Sequence, residues 1–256
     1  KEVDSISPEA IRRLTGYSWP GNIRELRSVI DEYEDRVLVG ETDEISFYGS
    51  GDDELHLVFN FALMKSERIT AAHVRRNQEQ RLRRLDALLV RGWGCNTLGN
   101  HDSSRLITRY GDRQHDQQLA RLNAALVLTL RGTPFLYAGE ELGLQDAVVP
   151  PERVVDPDGR DGCRAPIPWT ADGDDEVGHG WPVRPWLPFP ANASTHSASE
   201  QLGRPPSMHL LYRKLLALRH DVEPSKADFT VQTQQDIIAT QQATTAAFRD
   251  LLAWVA

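Results

Sequence analysis

The chain has 256 residues, 40% hydrophobic and 26% charged, which is enough apolar material for one large folded domain or two small ones. A net charge of −8 excludes the basic face that a nucleic acid or an anionic membrane requires, and no run approaches the roughly 18 apolar residues of a membrane span. Two cysteines, Cys95 and Cys163, are too few for a disulfide framework; with no charged-then-apolar leader in view, they imply reduced thiols and a cytoplasmic setting.

Residues 1–35 read as two helices. Ser7 suits an N-cap, Pro8 the first helical position and Glu9 the positive end of the helix dipole, with Ile11 and Leu14 on one side. "YSWPGN" (17–22) breaks the pattern, and Ile23, Leu26, Val29, Ile30 and Tyr33 resume it. "RVLVGE" (36–41) and "HLVFNF" (56–61) are short apolar runs of the kind that form buried strands. A long amphipathic helix is expected over 66–91, with Leu82, Leu85, Leu88 and Leu89 on one side. "CNTLGN" (95–100) is a weaker strand. A helix follows over 116–131 with Leu119, Leu122, Ala125, Leu126 and Leu130 as its stripe, then a strand at "TPFLYAG" (133–139). Strands that alternate with helices imply an α/β fold with a parallel sheet under helical cover.

Residues 145–206 hold most of the prolines, many Asp and Gly, and three tryptophans, and read as a long ordered loop region. A helix returns at 207–220. The stretch 225–256 is rich in Gln, Thr and Ala, and Ile237, Ile238, Phe248, Leu251, Leu252 and Trp254 give it a weak amphipathic pattern. The first residue is Lys1, as expected of a processed product or a piece of a longer chain.

Two carboxylates stand at the C-terminal ends of expected parallel strands, Glu41 after "VLVG" and Asp102 after "TLGNH". Strand ends and the loops that follow them carry the active site of a β/α barrel. A desolvated carboxyl and a hydrogen-bonded one differ in pKa, so one donates a proton while the other stays charged, the pairing that glycoside hydrolysis needs. Asn100 and His101 can donate to sugar hydroxyls, and Arg105 can orient a loop or hold a carboxylate. The residue types alone leave a plainer reading open: Glu41 as a solvated loop acid, and Asn100–Asp102 as a turn capping a helix from Ser103. No H-x-x-x-H or C-x-x-C spacing suggests a metal, and no cofactor motif is present.

A set of motifs in order resembles glycoside hydrolase family 13, of the α-glucosidase and oligo-1,6-glucosidase type. They are "DEYEDRVLVGET", "ELHLVFNF", "TLGNHDSSRLITRYG", "LTLRGTPFLYAGEELGL", "PPERVVDPDGRDGCRAPIPW" and "LYRKLLALR". The resemblance covers about residues 24–221. It implies the C-terminal half of a (β/α)8 barrel, the fifth to eighth strands, with a short helical segment before it and a helical tail after it. It implies Glu41 as general acid/base, Asp102 as transition-state stabiliser, His101 and Asn100 on the sugar-binding floor, and Arg164 on the loop bordering the pocket. The substrate class implied is an α-glucoside oligosaccharide, with no cofactor. The family's nucleophile, an Asp in a Gly-Phe-Arg-x-Asp type motif, has no match before residue 20. The chain is therefore expected to be inactive by itself and to need the other barrel half.

"ISPEAIRRLTGYSWPGNIRELRSVI" (6–30) resembles instead the helical lid of sigma-54-dependent transcriptional activators, with Arg24 matching a nucleotide-sensing arginine. No GxxxxGK[ST] phosphate loop accompanies it. The expected organisation is a lid-like segment at 1–30, the partial barrel at 31–222 and an unassigned tail at 223–256. A regulator fragment or a non-functional chimera is the alternative reading.

Overall fold

The computed structural model describes residues 37–49, 54–87 and 93–222. The helices expected within 1–35, the lid-like segment, Leu88, Leu89 and the tail from 225 lie outside the described residues. The described chain divides into two units: residues 37–58, 84–87 and Trp93 fall in one, and 59–83 and 94–222 in the other.

In the first unit, β1 (Val39–Gly40) pairs in parallel with β2 (Leu57–Val58), Val39 opposite Leu57 and Gly40 opposite Val58. A 3-10 turn, Ile45–Tyr48, lies between them in sequence; the Glu44 carboxylate starts it by accepting the Ser46 N–H at 3.1 Å. Ile45, Tyr48, Leu55, Val58 and Leu85 form its core. Tyr48 is wholly buried, so its hydroxyl needs partners: it donates to the Trp93 carbonyl at 2.7 Å and accepts the Val58 N–H at 3.1 Å. A Cβ on Gly40 would stand 2.3 Å from Leu55 Cδ1, so glycine sets the packing distance at the end of β1. Glu41 is the next residue, and it is exposed.

In the second unit, β3 (Cys95–Thr97) pairs in parallel with β4 (Thr133–Phe135). Phe59 bridges Cys95 in parallel, and the Asn60 N–H donates to the Cys95 carbonyl. The strands are thus where the apolar runs placed them, but only two or three residues long. The short helix α1 (Phe61–Met64) follows, then α2 (Ala71–Ala87), which belongs to this unit as far as Arg83. The expected helix over 66–91 therefore starts later, at a turn where Thr70 Oγ1 accepts the His73 N–H.

The β3–β4 connection carries α3 (Leu106–Tyr110) and α4 (Asp116–Thr129), the crossover that parallel strands require. Two Asp carboxylates hold the entry to α4: Asp112 Oδ1 accepts the N–H groups of Gln114 and His115, and Asp116 Oδ1 those of Asp112 and Arg113. The leucine stripe faces the core in part: Leu126 and Leu130 pack against it. Leu122 is 63% exposed, and the buried face is Ala120, Asn123, Ala124, Val127 and Leu128. Small residues let α7 (Met208–Val222) lie close, and Met208 and Tyr212 join the same core. The Arg219 guanidinium donates to the carbonyls of Leu128, Leu130 and Gly132, satisfying the acceptors at the end of α4.

Residues 145–206 are ordered by polar knots rather than by their tryptophans. Two short helices, α5 (Ala193–His196) and α6 (Ala198–Gln201), are embedded there. Arg153 donates to Glu176 at 2.7 Å and to the carbonyls of Pro185 and Trp186; Glu176 also pairs with Arg184. His179 is buried against Phe189. Trp169, Trp181 and Trp186 are between 37% and 64% exposed, so the aromatic content that suggested a packed loop lies largely on its surface.

Candidate active site

The Asn100–Asp102 turn follows β3 directly. Thr97 Oγ1 ties the strand end by donating to the Gly99 carbonyl at 2.7 Å, and an Arg109 N–H fixes the Leu98 carbonyl. Asn100 Oδ1 accepts the Asp102 N–H at 3.2 Å, an Asx turn that presents His101 and Asp102 outward. The turn does not cap a helix at Ser103: α3 begins at Leu106, with Arg105 at its N-cap and no side-chain cap bond. Arg105 is 3% exposed and orients the loops, as its position suggested. Its amide donates to Asp146 Oδ1, its guanidinium donates to the Ala138 carbonyl at 2.7 Å, and it lies over the Tyr137 ring.

The 155–164 loop brings the opposing charges. Asp161, 2% exposed, accepts the N–H groups of Val155 at 2.7 Å and Asp156 at 3.0 Å, closing a tight arch. Inside the arch, Asp156 accepts from the Arg160 amide and its Nε and Nη2. Arg160 hydrogen bonds hold the Asp156 carboxyl well below the usual carboxylate range, and Asp156 in turn raises the Arg160 guanidinium.

Arg160 then reaches Asp102, Nη1 donating to Oδ1 at 3.1 Å. Arg164 Nη2 donates to the same oxygen at 3.1 Å, and its Nε donates to the His101 carbonyl at 2.9 Å. Cys163 Sγ lies 3.3 Å from that carbonyl. His101 Nε2 stands 3.5 Å from Asp102 Oδ1. Two guanidiniums thus converge on one carboxylate oxygen, and the half-open Asp102 remains reachable from solvent.

Of the residues singled out in the sequence, Asn100, His101, Asp102 and Arg164 thus come together in the second unit. Glu41 belongs to the first unit and follows β1. Sequence reasoning missed Arg160, the second cation on Asp102, although "GRDGCR" shows two arginines four positions apart. It missed Glu140 as well. This residue opens a 3-10 turn, Glu140–Leu142, after β4. Burial pushes its carboxyl up to about 8; neighbouring Glu141 adds to the rise, and Arg105 and Arg109 oppose it. Among the described residues of each unit taken by itself, no three His, Cys, Asp or Glu ligand atoms cluster closely enough to hold a metal ion. No helix among the described residues is long and apolar enough to cross a membrane.

The family described as "Alpha amylase, catalytic domain" matches residues 20–226. The chain belongs to the α-amylase catalytic-domain family. Its fold is accordingly that of the (β/α)8 barrel enzymes, in keeping with parallel strands joined through helices. Among α-amylase relatives, a probable α-glucosidase of Rhizobium meliloti (strain 1021) is 33% identical over 215 residues, which cover 77% of this chain and 38% of that protein. Maltase A1 of Drosophila melanogaster is 28% identical over 263 residues, covering 93% of this chain and 43% of that one. Among solved structures, an α-glucosyl transfer enzyme superposes with a TM-score of 0.68 at 33% identity, covering 78% of this chain and 39% of its own. The chain spans about two-fifths of the length of the curated relatives it matches.

Proposed function

We propose that the chain is the part of a retaining glycoside hydrolase that carries its acid/base and its transition-state stabiliser, acting on α-glucosidic bonds of oligosaccharides. In this reading Glu41 protonates the leaving oxygen and later activates water, while Asp102 stabilises the oxocarbenium-like transition state. His101 and Asn100 bind sugar hydroxyls, and Arg164 borders the pocket. The observation that carries the reading is the Asp102 arrangement. It is a solvent-reachable carboxylate at the end of a parallel strand, with Arg160 and Arg164 each 3.1 Å from one oxygen. The α-glucosidase and maltase names of the relatives supply the substrate class.

The proposal includes the fifth to eighth barrel strands within residues 31–222, flanked by the segments 1–30 and 223–256. It also includes dependence on a nucleophile outside this chain. The purified chain is then expected to bind maltose weakly and to give no turnover of p-nitrophenyl α-glucoside. Calorimetric heat on adding maltose, lost in His101→Ala, supports the reading. Silence with maltose at millimolar concentration overturns it. Turnover that Glu41→Gln abolishes overturns the dependence on a missing nucleophile.

A further inference from the structure

Beneath the Asn100–Asp102 turn lies a buried acid that the proposed chemistry does not use. A Cβ on Gly99 would stand 2.1 Å from Glu140 Oε1, so that oxygen lies directly against the backbone from which the turn springs. Glu140 is buried, and Oε1 has no hydrogen-bond partner. The same side chain lines a narrow cleft whose other walls are Leu106, Ile107, Ala120, Gly143, Leu144 and Tyr212. The approach is built in on both sides. Gly139, at φ 98°, is a conformation that favours glycine, and a Cβ there would meet the Arg105 guanidinium at 2.7 Å.

We propose that Glu140 is a positioning residue for the candidate site: its carboxyl is the floor on which the Gly99–Asp102 turn rests, and it sets where His101 and Asp102 stand. The assignment to a glycosidase rests on the reading of Asp102 given above; the support of the turn by Glu140 does not. An uncharged carboxyl tolerates the apolar walls, whereas a carboxylate there lacks solvation and pushes outward toward Gly99 or into the cleft. The charged and titratable groups facing Glu140 are Arg105 and Arg109 from α3 and its N-cap, Glu141 from its own turn, and Tyr212 from α7. Arg105 Nη1 and Arg109 Nη2 hold the carbonyls of Ala138 and Leu98, the latter at the base of the turn, while the Nε of each is buried without a partner, so a charge on Glu140 draws on the groups that hold the turn. Loss of the Glu140 proton is therefore expressed as movement of the turn.

The test follows the His101 ring by NMR in the full chain, labelled at histidine ring carbons and titrated between about pH 6 and about pH 10. The wild type is expected to show, besides the imidazole's own titration, a second inflection of the His101 signal near pH 8. Glu140→Gln, which keeps the shape without the titration, removes that inflection. Gly99→Ala, which forces the carboxyl away from the turn, moves its midpoint. A wild-type signal without the second inflection overturns the proposal. So does an inflection that persists in Glu140→Gln, or, if that variant does not fold, a midpoint unmoved in Gly99→Ala. Failure of maltose binding would leave the inflection in place, and loss of the inflection would leave maltose binding in place.

Discussion

The loop 155–164 and the turn 137–143 both bring acids to the candidate site, and they solve the cost of doing so in opposite ways. On the rim, Asp102 and Asp156 are surrounded by donors: Arg160, Arg164 and backbone amides. The donors of Arg160 hold the Asp156 carboxyl well below its ordinary range. On the floor, Glu140 is buried against Gly99 with one oxygen unanswered, so its proton stays on to about pH 8. Charge is kept where donors surround the carboxylate, as at Asp156, and suppressed where burial lacks them, as at Glu140. The same residue class thus serves as reagent and as packing material, according to the donors around it.

The sharpest way to break this contrast is to remove the floor's titration. The folded pKa of Glu140 lies above its ordinary value of 4.5, so its contribution to stability is complete below about 4.5 and is lost as pH rises through about 8. Glu140→Gln is expected to abolish that dependence and to exceed the wild type at about pH 9 by on the order of 4 kcal/mol, measured as urea midpoints at about pH 5 and about pH 9.

On the rim, Asp161→Ala leaves two amide donors of the arch unanswered. Urea denaturation should show a loss of about 3 kcal/mol. Gly99→Ala presses a methyl group into the Glu140 carboxyl and should cost about 2 kcal/mol, with the same readout. The smallest effect is expected from Arg160→Gln, because its side chain is 31% exposed and Arg164 stays beside both Asp156 and Asp102. Asp156 is depressed in the folded state, so the stability it gains from Arg160 is present above its ordinary value of 3.8 and is lost as pH falls. Wild-type and variant melting curves should differ slightly at about pH 7, converge in acid, and draw together in high salt.

Much of the architecture was legible because it rests on local patterns. The apolar runs before Glu41 and around Cys95 located strands, and "TPF" located β4, although β-branched and aromatic content overstated their lengths. The motif "TLGNHD" placed Asn100, His101 and Asp102 on one turn. Leu126 and Leu130 of the expected stripe pack on the core, and the outward place of Leu122 has a physical reason: Ala120 and Ala124 admit α7 closely, and hydrophobicity alone does not report proximity. The Asp102–Arg160 pair was not legible because 58 residues separate its members and only the Asp156–Asp161 arch joins them. Glu140 was hidden in an acidic dipeptide that reads as solvated surface. Only the approach of Gly99 shows that one of the two acids points inward.

The two cysteines sit at opposite ends of this scheme, and both are shut away. Cys95, in β3 beside Phe59, is fully buried, and burial pushes its thiol up to about 12. Cys163, in the arch against the His101 carbonyl, is 2% exposed, and burial raises its thiol too. Neither can meet an alkylating reagent until its surroundings part, so each keeps time for its own region. Modification of Cys163 well ahead of Cys95 would show the rim breathing while the strands stay shut. Equal rates would mean that this surface opens only when the whole unit comes apart.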